Sequence, residues 1–136
     1  MRHVNVVAGI VIKDGLILCA KRKPGGETGG QYEFPGGKIE EGEDQISALI
    51  RELKEELNLS VADIAFYKHI YYAYQTFTID LYFYLCRPVS SFEIREHLEV
   101  GYYEIAELKK LNFAPADAEV INDLSQKKGL ENYGAY

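Results

Sequence analysis

Glu52, Glu55 and Glu56 are spaced so that, on a helix turning 100° per residue, their carboxylates share a sector of about 100°. Like charges three and four residues apart cost an isolated helix roughly 0.2–0.5 kcal/mol per pair. Such a face is either solvated, with Arg51 and Lys54 as ion-pair partners, or it holds a cation. The surroundings favour the cation. Residues 37–56 hold seven acids (Glu40, Glu41, Glu43, Asp44, Glu52, Glu55, Glu56) against three bases (Lys38, Arg51, Lys54), so −4 of the net charge of −6 lies there. Directly ahead stands Pro35-Gly36-Gly37, where a backbone without side chains can approach a ligand and offer carbonyl oxygens. Carboxylates, a carbonyl and waters are the oxygen set that Mg²⁺ takes, and Mg²⁺ usually shares its shell with phosphates. The chemistry within reach is the handling of a phosphate-bearing ligand through that cation.

These residues need elements to position them. Residues 44–57 predict a helix with Asp44 as N-cap, an apolar stripe of Ile46, Leu49, Ile50, Leu53 and Leu57, and Asn58 in the left-handed closing position. Ahead of it, apolar runs at 4–12 and 16–21 flank Lys13-Asp14-Gly15, a hairpin signal. Six of the twelve glycines fall in 24–37, which reads as a loop around an extended piece at 31–34. Residues 64–74 and 77–87 read as antiparallel strands joined at Gln75-Thr76. In the second, Phe77, Ile79, Leu81, Phe83 and Leu85 alternate with Thr78, Asp80, Tyr82, Tyr84 and Cys86. A strand at 100–105 follows, then a helix at 115–128 with Ala118, Ile121 and Leu124 or Ser125 in phase, and a frayed tail at 129–136. The fold class is α+β, with a mostly antiparallel sheet packed between helices.

The chain of 136 residues suits one domain spanning 1–136, and 47% hydrophobic with 26% charged residues excludes a disordered or fibrous chain. A net charge of −6 without a basic block argues against nucleic-acid polymers and anionic membranes as partners, and an acidic protein that handles phosphates needs a cation. Cys19 and Cys86 sit in apolar runs and read as reduced core thiols. With no leader-like end and no apolar run near the ~18 residues of a membrane helix, a cytoplasmic location is expected. His3, His69 and His97 share no metal-ligand spacing and read as surface or core residues. Neither Gly-x-x-x-x-Gly-Lys-Ser/Thr nor Gly-x-Gly-x-x-Gly occurs. Six of the eleven tyrosines crowd 67–84 with little basic charge beside them, so they read as sheet packing, with one lining a base pocket.

Gly37, five residues, Glu43, seven residues, then Arg51-Glu52-Leu53-Lys54-Glu55-Glu56-Leu57-Asn58-Leu59 resembles the signature of the Nudix hydrolases at every fixed position but the last glycine, here Asn58. That departure touches a helix cap and no carboxylate. Tyr32-Glu33-Phe34-Pro35-Gly36-Gly37-Lys38-Ile39-Glu40 and Leu18-Cys19-Ala20-Lys21-Arg22 are similar to the MutT branch. Phe113-Ala114-Pro115-Ala116-Asp117 resembles the base-reading segment of MutT-like and CTP-pyrophosphohydrolase-like members.

The resemblance implies an α/β/α sandwich with a mixed sheet. It implies that the Gly37 carbonyl, Glu52, Glu55, Glu56 and a later carboxylate, Glu96 before Glu99, bind Mg²⁺, or Mn²⁺ in its place. Glu52 is the first choice for the water-activating base. Arg51 holds the glutamates, Glu43 braces loop to helix, and Arg22, Phe34 and Asp117 bind substrate.

The reaction implied is cleavage of a nucleoside triphosphate between its α and β phosphates, by a monomer or weak homodimer. An ionised Asp117 would accept from the N4 amine of cytosine, favouring CTP or dCTP, or from N1–H and N2–H of guanine, with 8-oxo-dGTP the strongest rival. The other reading of Asp117 is an acid in a helix's first turn. Dinucleoside polyphosphates, nucleotide sugars and a silent nucleotide-sensing module are the alternatives; Tyr74 stands where ADP-ribose members carry a proline.

Overall fold

The computed structural model describes residues 1–133. Strands β1 (Arg2–Lys13) and β2 (Leu16–Lys21) form the expected hairpin, its turn made by Asp14 and Gly15 at φ 52° and 78°. Two consecutive left-handed residues match the right-handed twist of the strands they join. Strands β3 (Tyr32–Glu33) and β4 (Gly36–Lys38) follow the glycine-rich loop, then helix α1 (Gln45–Leu57), β5 (Val61–Ala73), β6 (Phe77–Pro88) and β7 (Glu99–Glu104). The sheet runs β3-β2-β1-β6-β5, with β4 on β1 and β7 on β2. β1 and β6 pair parallel over ten residues while the other strand pairs are antiparallel, so the sheet is mixed.

Alternation along β1 and β6 divides the core. Ala8, Ile10 and Ile12 with Ile79, Leu81, Phe83 and Leu85 face one layer; Val7 and Val11 with Tyr84 and Cys86 face the other. The second layer is α1. Asp44 caps it by accepting from the Ser47 N–H at 2.7 Å, and Asn58 at φ 49° closes it, with the Leu59 N–H reaching back to the Leu53 carbonyl. Its buried stripe is Ala48, Leu49, Leu53 and Leu57, while Ile46 and Ile50 face outward. The expected stripe is therefore turned toward Ala48, whose small side chain lets the helix lie close on the sheet. Cys19 and Cys86 are buried free thiols.

The first layer is helix α3 (Ala118–Ser125), preceded by the short helix α2 (Ile105–Leu108) and a 3₁₀ turn at Pro115–Asp117. The expected single helix at 115–128 is shorter and starts as 3₁₀; Val120, Ile121 and Leu124 are buried and Ala118 is exposed. Ile105 opens α2 and does not end β7. Residues 129–133, expected within a frayed tail, pack on the sheet. Leu130 and Tyr133 are buried, the Tyr133 hydroxyl donates to the Asp63 carbonyl, and the Arg87 guanidinium lies 4.8 Å from the Tyr133 ring centre. The rest of that tail, 134–136, lies outside the described residues. Among the described residues no helix is long and apolar enough to cross a membrane.

Candidate active site

Arg51 organises the acidic face of α1. Its guanidinium donates from Nε and Nη2 to the two oxygens of Glu43 at 2.7 and 2.9 Å, and from Nη1 to Glu52 at 2.9 Å and Glu55 at 3.1 Å. Nη2 also reaches the Lys38 carbonyl at 3.0 Å, which ties β4 to the helix. A planar fork with several fixed donors makes this set of bonds, where a lysine would act as a point charge. Hydrogen bonding to Arg51 holds the Glu43 carboxyl down at about 2.

Arg51 engages Oε1 of Glu52; the carboxyl end of Glu52 lies against Gly37, where an added Cβ would fall 2.3 Å from its Cδ and Oε2. That cradle exists only because residue 37 is glycine. Glu56, one turn on, has a buried oxygen, Oε2, without a hydrogen-bond partner. Burial, followed by the charges of Glu33, Glu52 and Glu96, pushes its carboxyl up to about 8, with Arg22 opposing. Burial also raises Glu52, with Glu55 and Glu96 adding to it and Arg51 opposing. Glu96, on an exposed loop, thus acts on both helix glutamates. Glu99 accepts instead from the Tyr32 hydroxyl at 3.0 Å and lies 3.9 Å from Lys21.

Among the described residues no three acidic, His or Cys side chains are already gathered so as to hold a metal ion. The donor set nevertheless suits a hard divalent cation. An orphaned carboxylate oxygen on Glu56, a carboxylate seated on the glycine backbone, and two acids raised first by burial and then by neighbouring carboxylates all call for positive charge at this spot.

Beside the acids a cavity of about 260 Å³ is lined by Arg22, Glu33, Phe34, Glu56, Tyr74 and Asp117, among others. It brings the expected substrate residues together with one helix glutamate. Arg22 donates from Nη1 to Glu33 Oε1 at 3.2 Å. Phe34 is buried, edge-on to Phe83 and tilted against Phe113, and so forms an apolar wall. Tyr74, stacked on Phe77, accepts a hydrogen bond from the Ala116 N–H at 3.1 Å and fixes the 3₁₀ turn that presents Asp117. Asp117 stands in the first turn, as the helix reading expected, but it is 4% exposed, makes no capping hydrogen bond and also lines the cavity. Burial, with the Glu33 charge second, raises its carboxyl well above the ordinary range. The direction favours the neutral acid over the ionised Asp117 expected above.

Glu33 was given no role by the sequence reading, although it sits in the segment around Phe34. It is a single polar residue on a two-residue strand, and only its place between Arg22, Glu56 and Asp117 marks it out. Replacing Arg22 with Ala is expected to raise KM for a nucleoside triphosphate roughly tenfold, because a charge-assisted donor is lost. An unchanged KM in a folded variant, from steady-state kinetics, would leave Arg22 as a partner of Glu33 alone.

A sheet between helix layers, with helix carboxylates set against a glycine backbone beside a part-apolar cavity, is an arrangement suited to a divalent cation and a phosphate-bearing ligand. Residues 6–123 match the NUDIX domain, and the chain belongs to the Nudix family of hydrolases. It is 34% identical over 130 residues to a protein of Buchnera aphidicola (subspecies Schizaphis graminum) named 8-oxo-dGTP diphosphatase, covering 93% of this chain and 96% of that one. A shorter stretch of 59 residues is 48% identical to the CTP pyrophosphohydrolase of Escherichia coli K12, covering 43% of this chain and 44% of the other. A solved MutT structure, from work on the Aliivibrio salmonicida and Vibrio cholerae proteins, superposes with a TM-score of 0.76 at 29% identity, covering 93% of this chain and 99% of that one.

Proposed function

We propose that this chain hydrolyses nucleoside triphosphates to the monophosphate and pyrophosphate, with 8-oxo-dGTP and CTP or dCTP as leading substrates. The observation that carries the reading is the cavity that joins Glu56 and Arg22 to a buried Asp117, whose burial favours the neutral acid. The Gly37 carbonyl, Glu52, Glu55, Glu56 and Glu96 would hold Mg²⁺, with Mn²⁺ as its substitute. Bound there, the cation supplies charge neutralisation on the phosphate oxygens and an acidified water.

The chain's own residues do the rest. Arg51 takes Oε1 of Glu52, which leaves Oε2 to accept a proton from the attacking water. Arg22 offers the substrate phosphates fixed donors, and Phe34 excludes water from beside the base. The test is product analysis of a nucleotide panel with and without divalent cation. Pyrophosphate release that requires the cation is expected; release of phosphate, or no turnover with any triphosphate, overturns the reading.

A neutral carboxyl presents one donor and one acceptor side by side. Unmodified guanine offers only acceptors, O6 and N7, on its major-groove edge, whereas oxidation at C8 places a proton on N7 and makes a donor-acceptor pair. Cytosine offers such a pair too, at N4–H and N3. The relatives named 8-oxo-dGTP diphosphatase and CTP pyrophosphohydrolase agree with both. Asp117→Asn keeps a donor and an acceptor, so the preference for 8-oxo-dGTP over dGTP in kcat/KM is expected to stay within about threefold of the wild-type value. Asp117→Leu is expected to lose about 1–3 kcal/mol of that discrimination. Equal losses in the two variants would restore the ionised, accept-only Asp117.

A further inference from the structure

Between Glu93 and Glu99 every side chain is exposed except that of His97, whose ring is 5% accessible. The loop that carries Glu96 is fastened at its start to the end of α1: the Glu93 N–H donates to the Leu57 carbonyl at 2.7 Å, and Arg95 reaches the Lys54 and Glu55 carbonyls at 3.4 Å. At its end the Leu98 N–H donates to the Lys21 carbonyl of β2 at 2.9 Å. The one side chain that enters the protein from the middle of this span is the imidazole next to Glu96.

That imidazole does not enter as an apolar anchor. Nε2 lies 3.0 Å from Oε2 of Glu33, while Oε1 of the same carboxylate takes Arg22 Nη1 at 3.2 Å. Nδ1 is buried without a partner, a penalty that a phenylalanine or leucine would not incur. A lone buried nitrogen is tolerated here in return for a donor aimed at Glu33. Each oxygen of Glu33 thus serves a different part of the site: one holds the arginine that lines the cavity, the other holds the loop bearing Glu96. With both oxygens engaged, the carboxylate has one orientation.

We propose that His97 is a positioning residue: through Nε2–H to Glu33 it latches the Glu96 loop to β3 and, through the same carboxylate, sets Arg22 at the cavity. The inference rests on the nucleotide-hydrolysis reading for its kinetic arm and on Glu96 as a cation ligand for its Mn²⁺ arm; the exchange and tautomer arms rest on neither. His97→Phe keeps ring volume and removes the donor; His97→Gln keeps an N–H donor at similar reach and sacrifices packing. The latch expects the Phe variant to lose about three- to tenfold in Mn²⁺ affinity, followed by electron paramagnetic resonance without substrate, to exchange the amides of 93–98 faster, and to raise KM more than it lowers kcat. It expects the Gln variant to be closer to wild type on all three.

A residue that merely fills space gives the opposite order, Phe better than Gln, and that order overturns the proposal. Should neither variant fold, the wild-type protein decides. Nitrogen NMR of the metal-free chain is expected to find a proton on the His97 Nε2, and a ring protonated at Nδ1 alone overturns the latch. A failure of the hydrolysis reading would leave the exchange and tautomer results standing, so the two failures are distinguishable.

Discussion

Glu56→Gln is expected to cost about 10²-fold or more in kcat/KM and, in the same molecule, to make the metal-free protein more stable at pH 8. The activity loss follows from removing a charged ligand where cation binding and water activation coincide. The gain follows from linkage. Burial and three neighbouring carboxylates hold the folded Glu56 carboxyl up at about 8, against 4.5 for the ordinary group. Between those values the folded chain keeps a proton that the unfolded chain has released, so unfolding free energy falls as pH rises from about 4.5 and levels off above 8. Glutamine carries no such proton and removes that share of the slope, of order 2–3 kcal/mol once partial solvent screening is allowed for. Glu52 and Asp117 are raised as well, so a weaker slope of the same sign persists.

Urea unfolding in chelator at pH 5.5 and 8.5, beside turnover with Mg²⁺, measures both. Full turnover by the variant would remove Glu56 from the site, and an unaltered slope would show that its carboxyl is ordinary. Divalent cation should reverse the trend in the wild type, because it binds the ionised form and stabilises the fold more at high pH.

How far the sequence reached depended on whether a feature repeats. α1 was legible because Asp44, the Leu49/Leu53/Leu57 period and Asn58 mark start, face and end independently, and the same period placed the glutamates on one side. The alternation of β6 separated Phe83 from Tyr84 correctly, since a strand's period of two survives any choice of neighbour. Which strand lies beside which is a tertiary fact, and the parallel β1–β6 pairing had no local signal. Ile46 and Ile50 show the limit from the other side: they keep the period, yet both are exposed because the buried stripe is turned toward Ala48. Leu130 and Tyr133 are too few to form a pattern, so their docking could not be read. Glu33 and His97 are isolated polar residues whose meaning is their contact with each other. The upward push on the Asp117 carboxyl was illegible for the same reason, because its burial is created by chain segments distant in sequence.

Gly36 and Gly37 are neighbours on β4, and exchanging each for alanine is expected to damage different properties. A Cβ on Gly36 would stand 2.0 Å from the Val7 carbonyl oxygen and 2.8 Å from the Ala8 Cα. Those atoms belong to β1, which pairs with β4 at Ala8↔Gly36 and Val7↔Gly37 and with β6 on its other side, so they have no room to yield. Gly36→Ala should therefore cost about 1–3 kcal/mol of stability, read as a fall in the urea midpoint. The three atoms nearest a Cβ on Gly37 all belong to the carboxyl end of Glu52, from 2.3 Å, and that end can swing on its own torsions. The fold should keep its stability to within about 0.5–1 kcal/mol.

Swinging away, however, takes Oε2 out of the cradle and strains the Glu52 bond to Arg51. Displacing a catalytic group by about 1 Å can cost roughly 10²-fold in rate. Gly37→Ala is thus expected to be a folded enzyme with about 10²-fold lower kcat and weakened Mn²⁺ binding. Wild-type turnover by Gly37→Ala would show that the water-activating carboxylate does not work from the position it holds against this glycine.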